Sequence, residues 1–313
     1  MMLKKPKFWD NKIGLISIIL LPLALIFLFA TYLKKIFIKV EVFKIPIICV
    51  GNIYIGGTGK TPTSIFLAKE ILKSGKKPAI LRKYYDAHKD EHGLIKNNFS
   101  NLILNKNRIE GLKEAEESNF DVVILDDGFQ DYKIKKNVSI ICFNSNQLIG
   151  NGLVLPAGPL RENLSSLKTA NIIIINGNKK ELFEKKILSV NEKLEIFYSS
   201  YEPINIDQFK HKKLLAFAGI GNPQNFFDLL EKNNLLVKKK IIFPDHYNFS
   251  KREIQSILDE AEINNYQVIT TEKDYFRIQN FDLNKIKYLK TFLKINNHEK
   301  LLNIIKSSYD KNN

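Results

Sequence analysis

Cysteine is nearly missing from this chain: there are two in 313 residues, Cys49 and Cys142. That excludes a disulfide scaffold. Both lie in apolar, strand-like runs, where a thiol serves as a small buried hydrophobe in a reducing compartment. Acidic residues fall short of basic ones, 33 Asp plus Glu against 48 Lys plus Arg, for a net charge of +15. Long hydrophobic runs are missing with one exception, and the mean hydropathy is −0.16, so a multi-spanning membrane protein is excluded. Apolar residues still make up 44% of the chain, which excludes wholly disordered character, since such chains lack the apolar area to offset ordering entropy. No short-period repeat occurs. No basic block carries the interleaved aromatics of a nucleic-acid groove, so no nucleic-acid partner is expected. The positive surplus is spread along the chain. It suits solvated lysine faces, an anionic lipid surface or a phosphorylated substrate.

The exception is residues 13–33, a run of 21 residues without a charge. A helix rises ~1.5 Å per residue, so the run is long enough to cross a ~30 Å hydrocarbon core. Pro22 lies mid-run and predicts a kink. Trp9 and Tyr32 flank it at the depth amphipathic rings prefer. A cleaved signal peptide does not fit, because the run is long and no small-x-small site precedes the lysines. Lysines stand on both sides: Lys4, Lys5, Lys7 and Lys12 before it, Lys34, Lys35, Lys39 and Lys44 after it. Two readings stay open, a single span and a kinked interfacial anchor with both ends on one side. Either makes residues 1–35 a membrane anchor.

Beyond it, short apolar runs alternate with amphipathic ones. Strands are expected at 45–50, 78–81, 121–127, 139–143 and 171–176, and helices at 60–73 and about 107–118. Runs without polar alternation imply strands covered on both faces, hence a parallel sheet between helices. The polar stretch 199–213 has no period and is the expected boundary. After it, a strand then turn at 214–221 and strands at 237–243, 267–271 and near 286–292 alternate with helices at 222–233 and 250–263, a short helix and a closing helix. The expected division is 36–205 for the main domain and 206–313 for a smaller α/β domain.

The strongest chemical signal is Gly56-Gly57-Thr58-Gly59-Lys60-Thr61, after a strand and opening a helix. Glycines let the backbone turn several N–H groups toward one anion, and the helix N-terminus adds its dipole. Lys60 reaches β- and γ-phosphates, and the Thr61 hydroxyl is a Mg2+ ligand. The strict loop pattern is not met, because Tyr54 stands at its first glycine position. The strand DVVILDD ends in Asp126 and Asp127, where carboxylates beside such a loop hold Mg2+ or its water shell.

These segments resemble the tetraacyldisaccharide 4′-kinase family, the lipid A 4′-kinases. The resemblance rests on VGNIYIGGTGKTP (50–62), DVVILDDGFQ (121–130), NGLVLPAGPLRE (151–162), AFAGIGNPQNFF (216–227), FPDHYNF (243–249) and TTEKD (270–274). It implies a P-loop NTPase-like parallel sheet flanked by helices, with the smaller C-terminal α/β domain closing over the active site. It implies an ATP- and Mg2+-dependent kinase at the cytoplasmic face of the inner membrane. The acceptor would be the 4′-hydroxyl of a tetraacyl glucosamine disaccharide 1-phosphate. Lys60, Asp90 and His246 would be catalytic, the last two as a base pair. Arg108, Gln130 and Arg161 would join the glycine loop in binding nucleotide, and Glu162 would join Thr61, Asp126 and Asp127 at the metal. Partners would be the lipid-linked sugar and anionic inner-membrane lipid, and the chain would be a monomer. Three positions depart from the family pattern: Lys83 replaces a glycine, His92 a proline and Asp131 a histidine. His88, His92, His211 and His298 lack metal-ligand spacing and are expected at the surface.

Two other classes remain. One is a membrane-associated partitioning ATPase, although Ile55 stands where its loop carries a lysine. The other is an adaptor that binds nucleotide without transferring phosphate.

Overall fold

The computed structural model describes residues 6–85, 89–245, 247–281 and 284–310. The chain divides into two compact units: one comprises 1–84, 101–200 and 295–313, the other 85–100 and 201–294. The division is not linear. The segment 85–100 leaves the first unit between two of its strands, and the chain returns at Ile295.

The larger sheet has the order β12-β7-β6-β5-β1-β4-β2-β3, and its strands from β3 through β6, with most of β7, belong to the first unit. In chain order the sheet's strands are β1 (Ile47–Gly51), β2 (Pro78–Lys83), β3 (Leu102–Asn105), β4 (Val122–Asp126), β5 (Val138–Asn144), β6 (Ile172–Asn176), β7 (Glu195–Pro203) and β12 (Thr291–Ile295). The pairs from β3 through β7 are parallel. Every residue of β1, β4, β5 and β6 is buried, as unbroken Ile/Val runs require when helices cover both faces. The helices are α3 (Lys60–Lys73), α5 (Arg108–Glu117), α6 (Glu181–Leu188) and α10 (His298–Asp310). Cys49 and Cys142 are buried and free, and burial pushes their thiols up to about 11 and about 12.

The second unit has a four-stranded parallel sheet of order β11-β10-β8-β9: β8 (Lys213–Ala218), β9 (Leu236–Ile242), β10 (Gln267–Thr271) and β11 (Ile286–Leu289). Alternation along β8 sorts its two cores. Leu214, Ala216 and Ala218 meet Phe226, Phe227 and Leu230 of α7 (Pro223–Lys232). Leu215 and Phe217 meet Ile254 and Ile257 of α8 (Lys251–Ile263). A capping box starts α8: Ser250 accepts from the Glu253 N–H and Glu253 accepts from the Ser250 N–H. Here too lie α4 (Lys89–Asn98) and α9 (Glu272–Arg277).

Several expectations are corrected. The stretch 199–213 is not wholly irregular, since β7 runs on to Pro203. The single strand expected at 286–292 is two, β11 and β12. His92 is buried, not exposed, because α4 packs on α9; Gly93 lies so close that a Cβ would stand 3.3 Å from the Phe276 ring. Trp9 is no interface ring: it is buried, and its Nε1 donates to the Pro156 carbonyl at 3.1 Å.

The apolar run forms α1 (Leu15–Ile19) and α2 (Leu21–Phe37), broken at Leu20. Pro22 explains the break, since its ring clashes with the Ile18 carbonyl four residues back and it has no N–H to bond that carbonyl. Among the described residues no helix is long and apolar enough to cross a membrane. Ala24, Leu20, Leu21, Phe27 and Leu28 pack on the core. Leu15, Ile16, Ile19, Leu25, Ile26 and Phe29 are exposed.

Candidate active site

The glycine loop joins β1 to α3. Position 51, the last of β1, requires glycine, because a Cβ there would stand 2.4 Å from the Phe129 Cβ. Gly56 and Gly59 have φ of 121° and 91°, and Gly59 is the N-cap of α3. Such backbone favours glycine strongly, which accounts for the motif's composition. Buried Asn52 braces the turn, its Nδ2 donating to the Gly56 carbonyl (3.2 Å) and to Thr58 Oγ1 (3.0 Å). Tyr54, at the atypical position, is fully buried; it bridges antiparallel to Leu160, and its hydroxyl donates to Asp10 at 3.2 Å. The segment 159–161 is thereby pinned along the loop, with Ile55 N–H on the Pro159 carbonyl and Arg161 N–H on the Ile53 carbonyl. That pinning delivers Arg161 and Glu162.

Strand β4 is the neighbour of β1, so its carboxylates arrive at the carboxyl ends of the strands beside the loop. Asp126 is fully buried. It accepts from Thr61 Oγ1 (3.1 Å), Ser64 Oγ (2.9 Å) and the Arg82 guanidinium. Asp127 has φ 56°, a left-handed conformation that Asp tolerates better than most residues. Its Oδ1 lies 3.0 Å from Arg161 Nη1 and 3.7 Å from Lys60 Nζ. Burial raises the Asp127 carboxyl, but Lys60 and Arg161 outweigh it and hold the group well below the carboxylate range. Burial lowers the Lys60 ammonium, which Asp127 partly offsets. Arg108 donates to the Asp127 carbonyl (2.7 Å) and to Asp131 (3.3 Å). Gln130 Nε2 donates to the Asn52 carbonyl (2.8 Å) and to Glu162 Oε1 (3.1 Å).

The loop, Lys60, Thr61, Arg108, Asp126, Asp127, Gln130, Arg161 and Glu162 therefore gather in the first unit. Asp90 belongs to the second, and His246 lies outside the described residues. Asp90 is buried on α4 and held by α9: Arg277 Nε and Nη2 donate to its Oδ2 at 2.8 and 2.6 Å. Arg277 also donates to Asp274 Oδ1 (2.6 Å) and to the Gly219 carbonyl. Lys273 Nζ stands 3.0 Å from Glu91, 3.7 Å from Asp90 and 3.8 Å from Asp245. Burial lowers the Lys273 ammonium and raises the Asp274 carboxyl.

Sequence reading missed Arg82, Ser64 and Asn52 around the loop, and Lys273 and Arg277 around Asp90. The stretch TTEKD puts Lys273 in a charged run opening a helix after a buried strand, but marks no partner for it, and Arg277 lies beyond that stretch. Arg82 directly follows the apolar run 78–81, and nothing in that run marks its partner. The departures also find explanations. Lys83 continues β2 in register with Asn105, so no glycine backbone is needed, and Asp131 gives Arg108 a carboxylate.

A parallel sheet whose strand turns through glycines into a helix N-terminus, beside a strand tipped with carboxylates, defines an α/β protein built to hold a phosphate chain. Comparison with known proteins narrows this. The family model described as Tetraacyldisaccharide-1-P 4'-kinase, LpxK, matches residues 16–310. The chain is 41% identical to the tetraacyldisaccharide 4'-kinase of Pelagibacter ubique (strain HTCC1062), over all of both chains. It is 32% identical to that of Francisella tularensis subsp. novicida (strain U112), over 93% of this chain and 99% of that one. Its fold is similar to LpxK from Aquifex aeolicus in complex with ATP, with a TM-score of 0.71 at 24% identity, over 94% of this chain and 100% of that one. This chain belongs to the tetraacyldisaccharide 4'-kinase family.

Proposed function

We propose that the chain transfers the γ-phosphoryl group of ATP to the 4′-hydroxyl of a tetraacyl glucosamine disaccharide 1-phosphate. The bond from the γ-phosphorus to its bridging oxygen breaks, a bond to the 4′-oxygen forms, and the hydroxyl proton passes to a base. One observation carries the reading: Lys60 and Arg161 converge on Asp127 beside a glycine turn whose left-handed residues free N–H groups for an anion. The backbone donors of 56–61, Lys60, Arg108 and Arg161 spread the charge that develops on the phosphoryl oxygens.

The residues fit Mg2+. Among the described residues no three of His, Cys, Asp and Glu group into a cage. Thr61, Asp127 and Glu162 offer the hard oxygen donors that Mg2+ takes alongside waters and phosphate oxygens. Thr61, Asp127 and Glu162 would hold it, and its charge would neutralise the β- and γ-oxygens. Asp126, also expected at the metal, accepts from Thr61, Ser64 and Arg82, so it aims the Thr61 hydroxyl. Asp90 and His246 are the proposed base pair: a carboxylate on one imidazole nitrogen fixes the tautomer that accepts the proton at the other.

The exposed apolar side of α1 and α2, followed by Lys34, Lys35 and Lys39, supports an interfacial seat on an anionic inner-membrane leaflet. A tetraacylated sugar does not leave the bilayer readily, so the enzyme goes to it. Ile26→Glu with Phe29→Glu should abolish flotation with phosphatidylglycerol vesicles; unchanged flotation refutes the seat. For the reaction, purified protein in detergent is given labelled ATP and a lipid A disaccharide precursor. Label in the lipid is expected. Release of inorganic phosphate alone would favour the ATPase reading, and nucleotide binding without either would favour the adaptor.

A further inference from the structure

The last turn of α2 reaches the metal side of the phosphate site. Lys35 Nζ lies 2.7 Å from Glu162 Oε2, and Glu162 is buried whereas Lys35 is 38% exposed at its side chain. The same ammonium stands 4.3 Å from the centre of the Tyr132 ring. Burial and the neighbouring Glu162 carboxylate raise the Tyr132 phenol well above its usual range. Gln130 holds the other oxygen, Oε1, at 3.1 Å. Two donors thus hold the carboxylate, one on each oxygen, and leave acceptor positions over. The chain of contacts continues inward. Gln130 Nε2 also donates to the Asn52 carbonyl, and the Asn52 side chain braces Gly56 and Thr58.

We propose that Lys35 is a positioning residue that fixes Glu162 and, through Gln130 and Asn52, the phosphate loop, so that seating α2 on lipid tightens the nucleotide site. A surface ion pair on its own contributes little. Here the acidic partner is buried and shared with a neutral donor that also bonds the loop's entry. Displacing α2 therefore displaces a carboxylate that the site needs. The inference rests on Glu162 acting at the Mg2+–phosphate site, and the test separates the two claims.

Lys35→Met keeps the stem and removes the charge, Lys35→Arg keeps the charge, and Glu162→Gln tests the underlying role. Binding of a fluorescent ATP analogue is titrated with Mg2+, without acceptor, with and without phosphatidylglycerol vesicles. Flotation and thermal melting are followed in parallel. Supporting positioners of metal ligands typically carry a ~10-fold effect, so Lys35→Met should lose about that much Mg2+-dependent affinity. It should also lose the gain that vesicles give the native protein while still floating with them, and Lys35→Arg should restore both. If Glu162→Gln is impaired but Lys35→Met binds and responds like the native chain, the inference is overturned and the site reading stands. If Glu162→Gln binds normally, the role of Glu162 falls and the inference with it.

Discussion

Two carboxylate centres, one in each unit, are built with opposite charge logic. In the first, Lys60, Arg82, Arg108 and Arg161 surround Asp126, Asp127 and Asp131, with Glu162 answered by Lys35. In the second, four carboxylates, Asp90, Glu91, Asp245 and Asp274, share Lys273 and Arg277. A centre with cations in surplus is ready for an anion and is completed by a phosphate chain. Among the described residues the second centre gathers more carboxylates than cations, which suits the proton-transfer role proposed for it. The burial differs as well. Asp90 and Arg277 are almost wholly enclosed, whereas Asp127 keeps 23% of its side chain open. The open pair can exchange partners when nucleotide arrives, and the enclosed pair acts as a fixed strut.

That contrast predicts the largest effect at the strut. Arg277→Met leaves Asp90 and Asp274 buried without their guanidinium, and breaking such a pair costs about 3–5 kcal/mol. Urea unfolding should show that loss, and Arg277→Lys should recover part of it. A change under 1 kcal/mol would show that the second centre is no strut. At the open centre the effect should be kinetic. Lys60→Ala should reduce kcat by roughly 10²–10³-fold, the scale for deleting one stabilising donor. Its melting temperature should stay near the native value, and a fall comparable to that of Arg277→Met would erase the distinction.

How much of this was legible depended on whether a residue's job is local. The glycine loop was legible because a left-handed turn at 56 and 59 restricts composition in consecutive positions. Asp126 and Asp127 were legible because they end a run that can only be a buried strand. The parallel order followed from unbroken Ile/Val segments. Arg277 and Lys273 were not, because their partner Asp90 is nearly 190 positions away in the chain and nothing local marks an arginine as buried. Lys35 was read as one of a basic flank, since its contact with Glu162 spans 127 positions. The helix α4 and strand β3 were missed because KDEHGLIKNN is polar and its buried positions depend on packing against α9.

Acid should separate the centres further. Asp127 has its folded-state carboxyl pulled below the unfolded value of about 3.9, so its contribution is complete above that pH and is lost as pH falls through the folded value. Asp127→Asn has no such group. The stability gap between native protein and Asp127→Asn should be on the order of 2 kcal/mol at neutral pH and should close below about pH 4. A gap that widens on acidification would mean that Asp127 is not held ionised by Lys60 and Arg161.

The smallest effect belongs to Asp131, where the family pattern has a histidine. Its bond to Arg108 is 3.3 Å, and Arg108 is held independently by the Asp127 carbonyl at 2.7 Å. Losing the carboxylate therefore removes one of two tethers on a guanidinium that stays in place. Partly exposed pairs of this kind contribute about 0.2–1 kcal/mol. Asp131→Asn should melt within that range of the native chain and change the KM for ATP by less than about five-fold, the ratio that 1 kcal/mol allows. A larger rise in KM would mean that Asp131 itself aims Arg108 at the phosphates, and the substitution of the family's histidine would then be a change in how the site binds nucleotide.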